Sequence, residues 1–204
     1  MMFTGVALVA VGMVGKRWST MKIPTRIALL AALPVIASAH EGHEVPAFLP
    51  GLFHPMTGLD HLLAMVTVGL LGARLGGAHR VLMPLTFLVA LAMGAMLPHL
   101  GALLEPGVAG TVALLGILLA VARPPALPVA VAVVAVAGLF HGAAHAAEAP
   151  AMGTGLFAAG MLLGSGLLHG LGLVGGLVAP RFQRPVGGAV AVTGLVLAVI
   201  AAGG

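Results

Sequence analysis

The sequence predicts an all-α integral membrane protein, and its composition and its apolar runs lead to that prediction. The 204 residues are 60% hydrophobic and only 7% charged, with a mean hydropathy of +1.18. Apolar runs of about 20 residues recur along the chain, and each is long enough to cross a hydrocarbon core of about 30 Å as a helix. The runs lack the apolar–polar alternation of transmembrane strands. Because lipid offers the backbone no hydrogen-bond partners, consecutive helices are the expected structure.

Residues 21–39 have the three parts of a secretory signal peptide. Lys22 and Arg26 form the basic start, an apolar core follows, and the small residues at 37–39 form the expected cleavage site. Cleavage would make His40 the mature N-terminus. An uncleaved membrane anchor is the alternative interpretation.

Six transmembrane helices are predicted after this leader. Their expected bounds are 57–75, 80–99, 107–122, 126–147, 153–178 and 186–202. The predicted divisions of the chain are an upstream extension at 1–20, the signal peptide at 21–39 and the six-helix membrane domain at 40–204. In the fifth helix, glycines spaced four residues apart favour close packing, so we expect this helix to be central. These glycines are Gly160/Gly164, Gly166/Gly170 and Gly172/Gly176.

The charged residues predict the orientation of the helices. If the chain enters from the outer side, the loops after the first, third and fifth helices are cytoplasmic, in agreement with the positive-inside rule. They hold every basic residue of the mature chain: Arg74, Arg80, Arg123, Arg181 and Arg184. All five acidic residues then fall on the outer side. We expect an inner (cytoplasmic) membrane protein with the mature N-terminus and the C-terminus on the periplasmic side, and we find no basic surface that indicates nucleic acid.

Ionisable side chains are so rare that each one inside a predicted helix is informative. An aspartate at a helix centre costs about 2.5–3.5 kcal/mol on insertion scales, so such residues usually face the bundle interior and have a function there. A single membrane histidine, by contrast, is more often a hydrogen-bond partner between helices than a metal ligand. The candidates inside or beside the helices are His54, Asp60, His61, His141, His145, Glu148 and His169.

Imidazoles and carboxylates without cysteine predict a path for a divalent first-row cation. Imidazole suits Ni²⁺, Zn²⁺ and Cu²⁺, and the absence of thiolates argues against Cu(I). Binding needs neutral imidazole, so affinity should weaken as histidine protonates. The predicted metal residues are His54, Asp60, His61, His141, His145 and His169, with His40, His43 and Glu148 as candidates for metal capture. We expect Glu105 to be a solvated loop end.

The positions of these candidates along the helices support a common cavity. His141, His145 and Glu148 fall at i, i+4 and i+7, which places them on one helix face. His54 lies seven residues before His61, so it either shares the face of that histidine or belongs to the segment that enters the helix.

The segment HPMTGLDHLLAM, residues 54–65, resembles the signature of the HupE/UreJ family, whose hydrogenase- and urease-associated membrane proteins are regarded as nickel permeases. The His-x5-Asp-His pattern of that family corresponds to His54, Asp60 and His61. The segments FHGAAHAAE and LLHGLG are similar to further family blocks, and the resemblance extends over the chain from residue 21. It implies uptake of Ni²⁺ for metalloenzyme maturation, whereas the residues alone leave Co²⁺ and Zn²⁺ open.

Two other classes of protein are alternatives to a cation permease. A haem-binding electron carrier would use histidines on facing helices as axial ligands, but it leaves Asp60 without a role. An intramembrane metallohydrolase would carry the H-E-x-x-H pattern, which this sequence lacks. We therefore expect no enzyme, no prosthetic cofactor and Ni²⁺ as the transported substrate. The expected partners are the nickel ion and the lipid bilayer, and a homo-oligomer is left open.

A first prediction concerns the segment 40–44, whose histidines and acids would concentrate the cation near the membrane. Deleting His40 to Glu44 should raise the nickel concentration needed for half-maximal uptake and leave the maximal rate unchanged. Radiolabelled nickel uptake over a range of concentrations measures this. If nickel uptake by the deletion variant depends on nickel concentration as in the wild type, this segment has no role in metal capture.

Overall fold

A computed structural model of the chain describes residues 47–97, 100–148 and 154–203. These ranges contain α-helices and short 3-10 turns and no strand, which confirms the all-α prediction. The α-helices are α1 Phe48–Phe53, α2 Leu59–Leu75, α3 His79–Gly94, α4 Leu104–Ala120, α5 Leu127–Glu148, α6 Thr154–Val178 and α7 Gln183–Gly203. The predicted extension at 1–20, the signal peptide at 21–39, and His40 and His43 lie outside the described residues.

The helices α2 to α7 coincide with the six segments predicted from hydropathy. The largest difference is in the second segment, where α3 ends at Gly94 and not near residue 99. Within the described residues, four helices are long and apolar enough to cross a membrane: α4 and α7 with their preceding turns, α5, and α6. A fifth crossing is formed if α1, its following turn and α2 count as one bent span, while α3 is a shorter apolar helix. The chain is therefore a multi-pass membrane protein.

A sharp bend separates α1 from α2. The 3-10 turn His54–Met56 follows α1 directly, and the axis changes direction by 81° before α2 begins. Pro55 lies in this turn, and Gly58 precedes α2 in an extended conformation with φ −95° and ψ 129°. Since proline lacks the amide hydrogen that a continuing helix would need, the break occurs at this point. As a result, His54 lies in the entry segment and not on the helix that carries His61.

The central helix of the bundle is α2. It contacts α3, α4, α5, α6 and α7, whereas α6 packs mainly against α1 and α2. The other extensive helix pairs are α4 with α7 and α3 with α5. The expectation that the fifth predicted helix is central was therefore wrong.

Glycines allow α2 and α6 to approach closely. A Cβ atom at Gly172 of α6 would collide with the carbonyl oxygen of Val66, and one at Gly69 of α2 would collide with that of His169. Such backbone approach is the usual role of small residues in membrane helices. The predicted pairs Gly160/Gly164 and Gly172/Gly176 do lie against neighbouring elements, but Gly166 and Gly170 face open space.

Acidic and basic side chains lie toward opposite ends of α4. Glu105 occupies the first turn of this helix. At the other end, the Arg74 guanidinium donates hydrogen bonds to the carbonyl oxygens of Leu119 and Val121, and Arg184 donates to Ala120 at 3.3 Å. Cations are favourable at a helix C-terminus because the last carbonyls are otherwise unpaired.

The α2–α6 contact predicts a difference between two glycines of one helix. Gly172→Ala should destabilise the protein by about 1–3 kcal/mol because its methyl group meets the backbone of α2. Gly170→Ala, two residues away and facing open space, is the matched control and should leave stability unchanged. Thermal denaturation of the two variants in detergent, followed by size-exclusion chromatography, measures the difference. Equal stability of both variants would contradict the close contact.

Candidate metal-binding site

The first part of the site joins the segment before α2 to the end of α5. His54 Nε2 lies 2.8 Å from a carboxylate oxygen of Glu148. The His54 side chain is 22% exposed and that of Glu148 is 50% exposed, so the pair stands at the surface of the bundle. The carboxylate and imidazole therefore form the outermost polar contact of the site.

Asp60 and His61 form a unit at the start of α2. One Asp60 oxygen accepts hydrogen bonds from the His61 backbone amide at 2.8 Å and from His61 Nδ1 at 2.7 Å. The contact is possible in the first turn, where backbone amides have no partner within the helix. Because a carboxylate only accepts, His61 carries a proton on Nδ1, and in the neutral ring Nε2 then presents a lone pair.

Four imidazole rings pack together beside this unit. The ring centroids of His61 and His145 lie 4.4 Å apart, those of His54 and His145 4.9 Å, and those of His61 and His141 5.0 Å. His141 and His145 are fully buried on the face of α5 that the i, i+4 spacing predicted. Three separate segments thus bring their imidazoles into one cluster.

His61 and His141 have the hydrogen-bond pattern of histidines that bind a metal: one ring nitrogen donates to an oxygen, and the other has no partner among the described residues. His141 Nδ1 donates to the carbonyl oxygen of Ala137 at 2.8 Å, just as His61 Nδ1 donates to Asp60. Such outer hydrogen bonds fix the ring and leave Nε2 free for a metal. In the part of the chain that the structure describes, Nε2 of both rings and both nitrogens of His145 are buried without a partner. Each such atom costs about 1–3 kcal/mol, which a bound cation would offset.

A cavity of about 330 Å³ opens onto the cluster. Its lining residues are His54, Thr57, Gly58, Asp60, His61, Glu105 and Glu148. Glu105 therefore faces the site. The sequence predicted a solvated loop end, and the residue is indeed exposed, but its place in the lining of the cavity was not predicted. The sequence did contain one indication of this position: Glu105 lies at the outer end of a predicted helix, as Asp60 does.

One subset lies close to the spacing that a cation requires. Ligand atoms of His54, His145 and Glu148 all lie within 4.8 Å of one another. Two ligand atoms bonded to one ion at about 2.0–2.2 Å are at most about 4.4 Å apart, so a small side-chain movement would let these three residues bind one ion. The donor set, imidazole with carboxylate, fits a first-row divalent cation.

His169 lies apart from the other predicted residues. It is buried in α6, and its Nδ1 donates to the carbonyl oxygen of Met65 at 2.7 Å. The ring of Phe87 contacts His141 at 5.5 Å and His169 at 5.1 Å between centroids, so an aromatic side chain lies next to both histidines. The structure thus brings together His54, Asp60, His61, His141, His145 and Glu148, and it leaves His169 apart from them, next to Phe87. Sequence reasoning missed Phe87, whose only signal was an aromatic residue in an aliphatic helix.

The fold and this site define a multi-pass helical membrane protein with a histidine–carboxylate cluster at one end of its bundle. The family model described as HupE / UreJ protein matches residues 27–203, and the chain belongs to that family. Protein HupE of Rhizobium leguminosarum bv. viciae is 42% identical over 189 residues, which cover 87% of this chain and 97% of the relative. No solved structure matches the chain.

Proposed function

We propose that the protein is a permease that carries Ni²⁺ into the cytoplasm for the maturation of hydrogenase or urease. The observation that carries the proposal is the cluster of buried imidazoles, with unpartnered nitrogens, beside a cavity lined by three carboxylates. Membership of the HupE/UreJ family supports nickel as the cargo and a metalloenzyme as the recipient.

In this proposal the acidic end of the bundle faces the periplasm of an inner-membrane protein. All six long helices cross the membrane, including α3, whose 16 residues span about 24 Å. The signal peptide is removed, and the mature N-terminus and the C-terminus lie outside. Arg74 and Arg184 at the opposite end of the bundle then face the cytoplasm, as the positive-inside rule requires.

The cation is first attracted by the carboxylates of Asp60, Glu105 and Glu148, which raise its local concentration. His54 and Glu148 lie outermost, and the ion replaces the hydrogen bond between them with bonds to both. From there it reaches His145 and His61, whose nitrogens replace water ligands as the ion enters the bundle. Several sites of moderate affinity let the ion leave each one again. His40 and His43 capture nickel before it enters the cavity.

Other cargoes and functions remain distinguishable by experiment. Co²⁺ and Zn²⁺ prefer overlapping donors, so competition in an uptake assay decides between them and Ni²⁺. The haem alternative is disfavoured because the imidazoles are in edge contact, with centroids as close as 4.4 Å, which leaves no room for a macrocycle between them.

The first test of the permease concerns the Asp60–His61 unit. Asp60→Ala and His61→Ala should each abolish nickel accumulation, since one removes the charge that orients the ring and the other removes the ring. Radiolabelled nickel uptake measures this, and immunoblotting of membranes shows whether the variants are inserted. His79→Ala is the control and should transport normally, because His79 begins α3 at the Arg74 end. Near-normal nickel uptake in both the Asp60→Ala and the His61→Ala variant would refute a role of this unit in transport.

The second test measures binding directly. Purified His145→Ala and Glu148→Gln should bind nickel about 10–100-fold more weakly than the wild type, a range seen when a metal site loses a supporting group. Isothermal titration with Ni²⁺, Co²⁺ and Zn²⁺ gives both the affinity and the selectivity. Unchanged nickel affinity in both variants would place the binding site elsewhere.

A further inference from the structure

His169 presents a nitrogen donor that the outer cluster does not use. Only 1% of the residue is exposed, and its Nδ1 is committed to the Met65 carbonyl oxygen. A carbonyl can only accept, so the proton is on Nδ1 and Nε2 carries a lone pair. Nε2 is buried and has no hydrogen-bond partner among the described residues.

A second unpartnered polar group lies one helical turn away. Ser165 precedes His169 by four residues on α6, which places both on one face of the helix. Ser165 is fully buried, and its hydroxyl has no partner in the described ranges either. A helical serine can bond to the carbonyl oxygen one turn earlier, yet this hydroxyl does not. Two groups on one helix face are thus without a partner among the described residues.

Phe87 contacts both His169 and the outer cluster. The side chain is fully buried, and its ring stands edge-on to His169, with an interplanar angle of 80°. The same ring contacts His141, the deepest histidine of the cluster. A direct path from His141 to His169 therefore runs beside the phenyl ring.

Beyond His169 the interior becomes apolar. Toward the Arg74 end of the bundle, the fully buried side chains of α2, α3 and α4 include Leu71, Met83, Leu115 and Leu119. His169 is thus the last buried imidazole before this apolar region in the described part of the chain.

We propose that His169 and Ser165 form a second, inner station for the divalent cation, and that Phe87 is the gate between this station and the outer cluster. The proposal rests on the permease function given above. One imidazole and one hydroxyl supply two donors, and the ion keeps water molecules at its other positions. The station binds more weakly than the outer cluster, and weaker binding at the deeper site favours onward movement.

Three variants of the full chain test the station. His169→Gln keeps an amide that can donate to the Met65 carbonyl oxygen but removes the imidazole. Phe87→Leu keeps the side chain apolar but makes it smaller, which widens the passage and limits the loss of packing. His79→Gln is the matched control, because it removes one imidazole at the Arg74 end. Size-exclusion chromatography establishes that each variant is folded.

The measurement is the release of bound nickel to added EDTA. Protein in lipid nanodiscs is loaded with radiolabelled Ni²⁺, and the retained label is followed over time. We expect a fast phase from the outer cluster and a slow phase from the station behind Phe87. His169→Gln should lose the slow phase, keep the fast one and lower nickel uptake about tenfold, the order seen when a metal ligand's surroundings are altered. Phe87→Leu should accelerate the slow phase, and His79→Gln should match the wild type.

The outcomes separate the station from the permease itself. If wild-type protein takes up nickel but releases it in one fast phase, or if His169→Gln retains the slow phase and normal uptake, the inner station is overturned and the outer site stands. If the wild type neither binds nor transports nickel, both proposals fail.

Discussion

A hydrogen bond from Nδ1 to an oxygen acceptor orients three histidines of this protein. The acceptor is the Asp60 carboxylate for His61, the Ala137 carbonyl for His141 and the Met65 carbonyl for His169. In each ring the bond places the proton on Nδ1 and directs a bare Nε2 into the interior. Without these bonds the imidazoles could rotate, and the positions of their free nitrogens would not be fixed. Orientation by backbone and carboxylate oxygens thus makes these buried histidines, otherwise unfavourable in lipid, candidate ligands.

Close helix packing makes these hydrogen bonds possible. Gly69 lies one turn after Met65 on α2 and leaves room for the backbone of His169, so the imidazole of α6 reaches the Met65 carbonyl across the contact. Gly172 allows the same approach one turn further along α6. The glycines that hold α2 against α6 therefore also position a candidate ligand, which couples the stability of the bundle to its proposed function.

The two ends of the bundle differ in charge and in packing. Asp60, Glu105 and Glu148 line a cavity at one end, while Arg74 and Arg184 satisfy the last carbonyls of α4 at the other. Between them most of the fully buried side chains beyond His169 are aliphatic, and the buried Gln183 amide donates to the carbonyl oxygen of Gly176. In the structure the cluster is thus reached from the acidic end, and the arginine end is closed by packing and by hydrogen bonds to the backbone.

The sequence by itself determined the helical class, the places of the six long helices and the types of residue in the site. Hydropathy sets the helices because each continuous apolar run must satisfy its own backbone hydrogen bonds in lipid, and the scarcity of ionisable residues singles out Asp60 and the helical histidines. It could not determine that His54 lies across an 81° bend, that Glu105 faces the cavity, or that Phe87 contacts both His141 and His169. Those facts depend on which helix faces contact each other, and that choice is made by backbone approach at glycines and by hydrogen bonds between residues far apart in the chain.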